Sequence, residues 1–321
     1  LLIKGRKFDI RMYALITSAS PIRIYLHDSG LIRFATHQYD PNADPSDAKT
    51  HLTNFALNKD DPDFVRCDDE TGESVDDSKW SIPFFKKYLQ ENGFDCDKIF
   101  QKLEDAATKT LLAGMSTIQS HHSRQVQHRH TSYEQYGLDL LLDEQFNVYV
   151  MEVNVSPGMS GSDSKLDFDI KNRLMHNLLD MARIVDCDCE LKDACPGIDE
   201  VDRQCRLSVT NARMRAVRMN QIKAWDSPVF ADYTMIRDFI EEQSRLGGYK
   251  MTFPNRETVD SYLPCIGDLK YHDIVFIEWI KMSDQERKVA VEKNLDQYRE
   301  ILGKINQAQA PQVMDDDEDE M

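Results

Sequence analysis

The stretch that most constrains this chain is Tyr136–Pro157, YGLDLLLDEQFNVYVMEVNVSP. Two apolar runs flank the polar break Asp143-Glu144-Gln145, which predicts a β-hairpin although its turn holds no glycine. On the first strand Leu138, Leu140 and Leu142 share one face and Asp139 takes the other. On the second, a period of two puts Tyr149, Met151, Val153 and Val155 together and leaves Glu152 and Asn154 on the opposite face. With Gln145-Phe146 as the turn, Asp139 lies directly across from Glu152. Like charges facing each other on paired strands repel, so the arrangement calls for a bound cation. Few, hard oxygen ligands with room for water and phosphate suit Mg²⁺ better than Zn²⁺ or a Ca²⁺ loop. On pattern alone, a solvated acidic sheet face remains the competing reading.

Length and charge narrow the class. A chain of 321 residues has room for two domains, and 41% hydrophobic with 30% charged residues is a globular composition. No run of eighteen apolar residues exists, so no membrane-spanning helix is expected. The opening LLIKGRKFDIR does not read as a signal peptide, and the chain does not begin with methionine, so a fragment lacking its amino-terminal part is expected. A net charge of −17 argues against nucleic acid as a partner. Seven cysteines without a secretory signal predict reduced thiols in the cytoplasm. The run Cys187, Cys189, Cys195, Cys205 lacks the paired C-x₂-C hooks of a zinc site.

Two further stretches join the hairpin, Lys7–Arg11 (KFDIR) and His51–Asn54 (HLTN), followed in order by the hairpin's own Gly137–Asp139 (G-x-D) and Glu152–Asn154 (EVN). Together they resemble the tubulin tyrosine ligase-like family, whose members use an ATP-grasp fold. The resemblance implies an α+β architecture: the carboxy-terminal part of an ATP-grasp module, an antiparallel sheet with helices, followed by a helical extension. In the family, a preceding domain and the first half of the module supply an adenine-flanking segment and a phosphate-binding lysine. The expected division is a ligase core over 1–186, a linker with a basic helix and helical extension over 187–308, and a disordered acidic tail over 309–321.

The resemblance also implies roles. Lys7, Asp9, Thr53, Asn54 and Asn154 would contact ATP, and Asp139, Glu152 and Asn154 would hold Mg²⁺. Arg11 would face the phosphates, and Arg33 the carboxylate of the incoming amino acid. Lys79 would meet that amino acid too, and Lys171 would lie near the acceptor path. An ion pair with Asp9 competes for both Arg11 and Arg33. Where many members have Tyr-Ser lining the amino-acid pocket, this chain has Phe55-Ala56, with two hydroxyls lost. The implied chemistry is ATP-dependent addition of free L-glutamate, through an isopeptide bond, to glutamate side chains in the acidic tail of tubulin. A monomer in the cytoplasm and cytoskeleton, at the cilium or basal body, is expected. Glycine or tyrosine as donor stays open as an alternative, as does a non-catalytic microtubule- or cilium-binding component.

The rest is scaffold and recognition. Arg23–Leu26 and Leu31–Thr36, around His27-Asp28-Ser29-Gly30, predict a second hairpin. Ser81–Ile118 predicts two helices broken at Asn92-Gly93, with Leu103, Ala107, Leu111 and Met115 as a buried stripe. The histidine-rich tract Ser120–Ser132 reads as a loop able to meet an acidic partner. A helix is expected from near Leu166, burying Leu174, Leu178 and Met181. Val201–Lys223 reads as one basic helix whose Arg213, Arg215 and Arg218 would bind an acidic peptide. Residues 224–308 read as helices with WDSP and GGYKMTFPN as breaks, in a run that resembles the extension of family glutamylases. The six acids of Asp315–Glu320 read as a solvated tail.

Overall fold

The computed structural model describes residues 1–44, 46–65, 78–125, 132–161, 164–183, 196–292 and 295–308. Residues 126–131 of the histidine tract, Cys187, Cys189 and Cys195, and the acidic tail lie outside the described residues. The chain clusters into two compact units: Leu1–Val185 with Glu242–Asp268, and Asp186–Glu241 with Leu269–Met321. The strands are β1 (Leu2–Ile3), β2 (Arg6–Ala19), β3 (Ile22–Gln38), β4 (Lys79–Ser81), β5 (Glu134–Leu142), β6 (Val148–Val155) and β7 (Tyr249–Phe253). The helices begin with α1 (Ala48–His51), α2 (Phe55–Asn58), α3 (Ile82–Glu91), α4 (Cys96–Gln125), α5 (Lys165–Ala182) and α6 (Pro196–Ser208). They continue with α7 (Asn211–Arg218), α8 (Phe230–Gln243), α9 (Val259–Tyr262), α10 (Tyr271–Lys281), α11 (Asp284–Glu292) and α12 (Leu295–Ala308).

In the first unit the strands form one antiparallel sheet in the order β4-β3-β2-β5-β6, with β1 on β2 and β7 on β3. Strand β2 has two faces of different character. Phe8, Ile10, Met12, Ala14 and Ile16 are all buried, and the Phe8 ring packs tilted against Phe85 of α3, which in turn meets Phe100 of α4. On the other face Tyr13 and Leu15, with Tyr25 and Leu31 of β3, receive Leu166, Ile170, Leu174, Leu178 and Met181 of α5. That spacing of three and four is the buried stripe of an amphipathic helix, and each such side chain contributes about 1.5–3 kcal/mol on burial. Ser164 starts α5 by accepting from the Asp167 N–H at 3.1 Å. The α5 layer covers only part of this face; toward the start of β2 the same face carries Asp9 and Arg11.

Three expectations change here. The second hairpin does not form: β3 runs unbroken for 17 residues. Its polar segment is absorbed as an irregularity in the pairing, Met12 opposing Gly30 and Ala14 opposing Leu26. The bulged residues find partners elsewhere, the His27 ring at Asn177 Oδ1 (3.0 Å) and the Asp28 N–H at the Gly248 carbonyl (2.9 Å). Gly30 is required where β3 rejoins, since a Cβ there would sit 2.4 Å from the Arg11 carbonyl oxygen. The GGYKMTFPN break contains β7, whose Tyr249 and Phe253 are buried on pairing with β3. For that reason Glu242–Asp268 clusters with the first unit, whereas the sequence reading drew 187–308 as one stretch. The expected helix pair is observed as α3 and α4, separated at Gly93 with its φ of +76°.

In the second unit Trp225 packs on Trp279 of α10, their ring centroids 4.8 Å apart, and its Nε1–H donates to the Val275 carbonyl at 2.9 Å. The expected basic helix is two, α6 and α7, because Thr210 ends one run and caps the next by accepting from the Arg213 N–H. Arg213 is not part of a binding face. It donates to Tyr271 OH at 2.6 Å, to Asp232 Oδ2 at 2.9 Å and to the Ala224 carbonyl at 3.0 Å, and Asp232 is fully buried. An arginine this committed is an internal tie. Arg215 and Arg218 remain exposed.

Candidate active site

The hairpin β5–β6 has Asp139 opposite Glu152, as the pattern predicts, but by a different route. The connection is the five-residue loop 143–147 rather than a two-residue turn. Asp143 closes it, its Oδ1 accepting from the Gln145 and Asn147 N–H groups at 2.9 and 2.7 Å. Phe146 takes the left-handed conformation (φ 55°) that glycine usually supplies, its ring against Phe94 and its carbonyl accepting from Lys102 at 2.9 Å. A one-residue irregularity between Asp139/Glu152 and Leu140/Val150 then restores the register. Met151 is left unpaired, so Tyr149 lies opposite Leu141 and shares the Glu152 side, not the Val153 side expected from strict alternation. Strand β6 is largely exposed, Glu152 with it.

Around Asp139 the sheet assembles four charged groups from four sequence positions. Arg11, cross-strand from Asp139, grips its carboxylate with Nε and with Nη2 at 2.8 Å. Arg33, cross-strand from Asp9, donates to both Asp9 oxygens at 2.8 and 2.6 Å and reaches Asp139 at 2.9 Å. Burial disfavours the charge on Arg33, but Asp9 and Asp139 outweigh it and hold the guanidinium above its ordinary value. Burial likewise pushes the Asp139 carboxyl up, and the hydrogen bond from Arg11 with the nearby Arg33 charge more than reverses it, so Asp139 sits below the usual carboxylate range.

The other expected residues fall into three groups. Thr53 is buried and donates to Asp9 Oδ2 at 2.6 Å, so both Asp9 oxygens are engaged within the protein and Asp9 holds Arg33 in place. Lys7 is half-buried at the start of β2, and Asn54 is exposed. Phe55 and Ala56 begin α2, but their side chains lie outside the described residues. Lys79 and Lys171 converge on the buried carboxylate of Asp167, Lys79 in a direct hydrogen bond and Lys171 at 3.3 Å. Asn154 donates to Glu152 Oε1 at 2.9 Å, which lines both up on β6 beside Asp139. Asp139, Glu152 and Asn154 thus offer oxygen donors only, from one side of one hairpin, a set that fits Mg²⁺.

Two residues that the sequence reading did not single out position this site. Asn58, 1% exposed, accepts from the Thr36 N–H and hydroxyl and donates to the carbonyls of Leu52 and Asn54, fixing the segment that carries Thr53. Asp167 organises the two lysines; its signal was its place four residues before Lys171, one helical turn away. Elsewhere, among the described residues, His37, Asp61 and Asp63 bring possible ligand atoms within 4.8 Å of one another, but Lys49 already pairs with Asp61.

Comparison with known proteins places the chain among relatives. The model of the tubulin-tyrosine ligase family matches residues 1–191. Tubulin polyglutamylase ttll-4 of Caenorhabditis briggsae is 28% identical over 308 residues, 91% of this chain and 49% of that protein. Human tubulin monoglutamylase TTLL4 is 29% identical over 87% of this chain and 25% of its own length. For human tubulin polyglutamylase TTLL5 the figures are 32%, 82% and 22%. The chain therefore spans about half the length, or less, of these curated relatives. With a family match over more than half its residues, and with Asp139, Glu152 and Asn154 aligned on one hairpin beside Arg11 and Arg33, the chain belongs to the tubulin-tyrosine ligase family.

Proposed function

We propose that this chain carries the metal- and substrate-binding part of an ATP-dependent carboxylate–amine ligase that adds free L-glutamate to glutamate side chains in the acidic tails of tubulin. The observation that carries the reading is the oxygen-only set Asp139, Glu152 and Asn154 standing against two partly buried arginines, in a chain whose relatives are named tubulin polyglutamylases and monoglutamylases. In this reading Asp139, Glu152 and Asn154 hold Mg²⁺, which when bound would offset phosphate charge. Lys7, Thr53 and Asn54 line the nucleotide site. Arg11 turns from Asp139 toward the γ-phosphoryl group as it passes to the acceptor carboxylate, forming an acyl phosphate and ADP. Arg33, held by Asp9, takes a carboxylate of the free glutamate, whose amino group attacks the acyl carbon. Phosphate leaves, the amine loses a proton, and an isopeptide bond remains. No side-chain nucleophile is required. A cytoskeletal workplace, including the cilium or basal body, belongs to the same proposal.

The test is ATP- and Mg²⁺-dependent incorporation of labelled glutamate into tubulin by the complete protein that carries this sequence. Labelled glycine and tyrosine serve as competitors. Glutamate incorporation supports the proposal; incorporation of glycine or tyrosine instead, or of nothing, overturns it.

A further inference from the structure

Gly137, the glycine of the G-x-D stretch, has a role that its backbone does not explain. It is paired on both sides within β5, with Tyr13 of β2 and Asn154 of β6, and its φ is not left-handed. Space is the reason for the glycine. A Cβ at this position would lie 3.3 Å from Arg11 Cδ, 3.4 Å from Arg11 Nη1 and 3.1 Å from Pro157 Cβ. Arg11 therefore leans over Gly137 while its Nε and Nη2 hold Asp139. The registers put two cross-strand rows side by side on this face: Arg11, Asp139 and Glu152 in one, Tyr13, Gly137 and Asn154 in the next. Gly137 is the gap in the second row.

The gap decides where Arg11 can go. On the Asp9 side of the arginine, Arg33 is locked to both Asp9 oxygens at 2.8 and 2.6 Å and reaches Asp139 as well. On the other side the row of Gly137 is walled by Asn154 and by Tyr13, which is 1% exposed and packed into the α5 cluster. The Tyr13 hydroxyl feels the Arg11 charge, which offsets part of the burial that raises its pKa. A guanidinium that releases Asp139 has room over Gly137, toward Asn154, and a side chain at 137 takes that room away. Contacts between a guanidinium and a phosphoryl group are directional, so displacements of a few tenths of an ångström count. Resting on the ligase reading above, we propose that Gly137 is a positioning residue for Arg11: its missing side chain is the slot through which the guanidinium reaches the terminal phosphoryl group of the nucleotide. A nucleotide that lacks that group makes no use of the slot.

The direct test does not need turnover. Affinities for ADP and for a non-hydrolysable ATP analogue, each with Mg²⁺, are measured by isothermal titration on the complete protein that carries this sequence. Wild type should bind the ATP analogue more tightly than ADP. Gly137→Ala should lower that preference by at least about tenfold and leave ADP affinity unchanged, as expected when a hydrogen bond to a charged group is lost. Arg11→Ala removes every Arg11 atom that the new Cβ would meet and should lower the preference at least as far. Adding Gly137→Ala to it should then cost nothing further, since both act through one contact. Combining Gly137→Ala with Pro157→Gly relieves the shorter contact, keeps the test available if the single variant does not fold, and should leave the preference lost. The slot is overturned if wild type has no such preference, if Gly137→Ala keeps it in full, or if Pro157→Gly restores it. It is equally overturned if Gly137→Ala costs as much with Arg11→Ala as without it, or if it weakens both nucleotides alike and lowers the melting temperature. A protein that shows the preference and loses it in Gly137→Ala, yet transfers no glutamate as wild type, would refute the ligase reading and leave the slot standing.

Discussion

Two arginine–aspartate clusters, one in each unit, use the same chemistry to opposite ends. In the second unit Arg213 is closed in by Tyr271, Asp232 and the Ala224 carbonyl, and Tyr271 OH donates to the other oxygen of the same Asp232 at 2.8 Å. Every partner is internal, and the effect is to tie α7, α8 and α10 together. In the first unit Arg11 and Arg33 are partly buried and paired, but they line a sheet face that α5 leaves partly open, next to Glu152 on an exposed edge strand. The difference lies in what stands beside the pair. A charge pair surrounded by its own satisfied donors stabilises; a pair flanked by a further, exposed carboxylate can exchange partners with a ligand.

The largest expected effect breaks the comparison at its functional end. Glu152→Gln removes one ligand charge from an exposed position, and ATP-dependent glutamate incorporation should fall by more than about 100-fold while thermal unfolding is unchanged. Full activity in that variant would remove Mg²⁺ from Glu152. The counterpart is Arg213→Met, which strands Asp232 in the core and should cost about 3–5 kcal/mol in chemical denaturation. Loss of tubulin binding without loss of stability would return Arg213 to the binding face. A smaller effect sharpens the contrast within α7. Arg215→Ala with Arg218→Ala should change stability by no more than about 0.5 kcal/mol, yet weaken microtubule binding a few-fold and flatten its salt dependence. Binding unchanged at every salt concentration would leave both as ordinary solvated residues. The smallest effect is on the acid limb. Because the folded Asp139 carboxyl sits below its ordinary value, its contribution is present at neutral pH and fades as pH falls through the lowered value. Asp139→Asn should therefore be less stable than wild type near pH 7, with the gap narrowing below about pH 4. A gap that is constant with pH would mean that the Arg11–Asp139 charge pair contributes nothing.

Much of the site was legible in the chain because strand alternation is local. Asp139 and Glu152 lie on the same side because each stands opposite to its apolar neighbours, and that pattern survives without knowledge of the turn. The details were not legible where non-local partners intervene. His27-Asp28-Ser29-Gly30 has the composition of a turn, yet Asn177, Gly248 and β7 satisfy those residues in place and the strand continues. Arg213 looks like its neighbours Arg215 and Arg218 in sequence; only Asp232 and Tyr271, 19 and 58 residues away, make it internal.

The sequence by itself determined the α+β pattern, the amphipathic stripes of α4 and α5, and the acid-bearing hairpin, because periodicity and local chemistry suffice for each. The tertiary structure alone decided which charges meet: Arg11 with Asp139, Arg33 with Asp9, and Lys79 with Lys171 on Asp167. Those pairings join residues 24 to 128 positions apart, or bring two lysines to one carboxylate, and they depend on strand register and on where α5 begins. A charged side chain carries no mark of its partner until the sheet has closed around it.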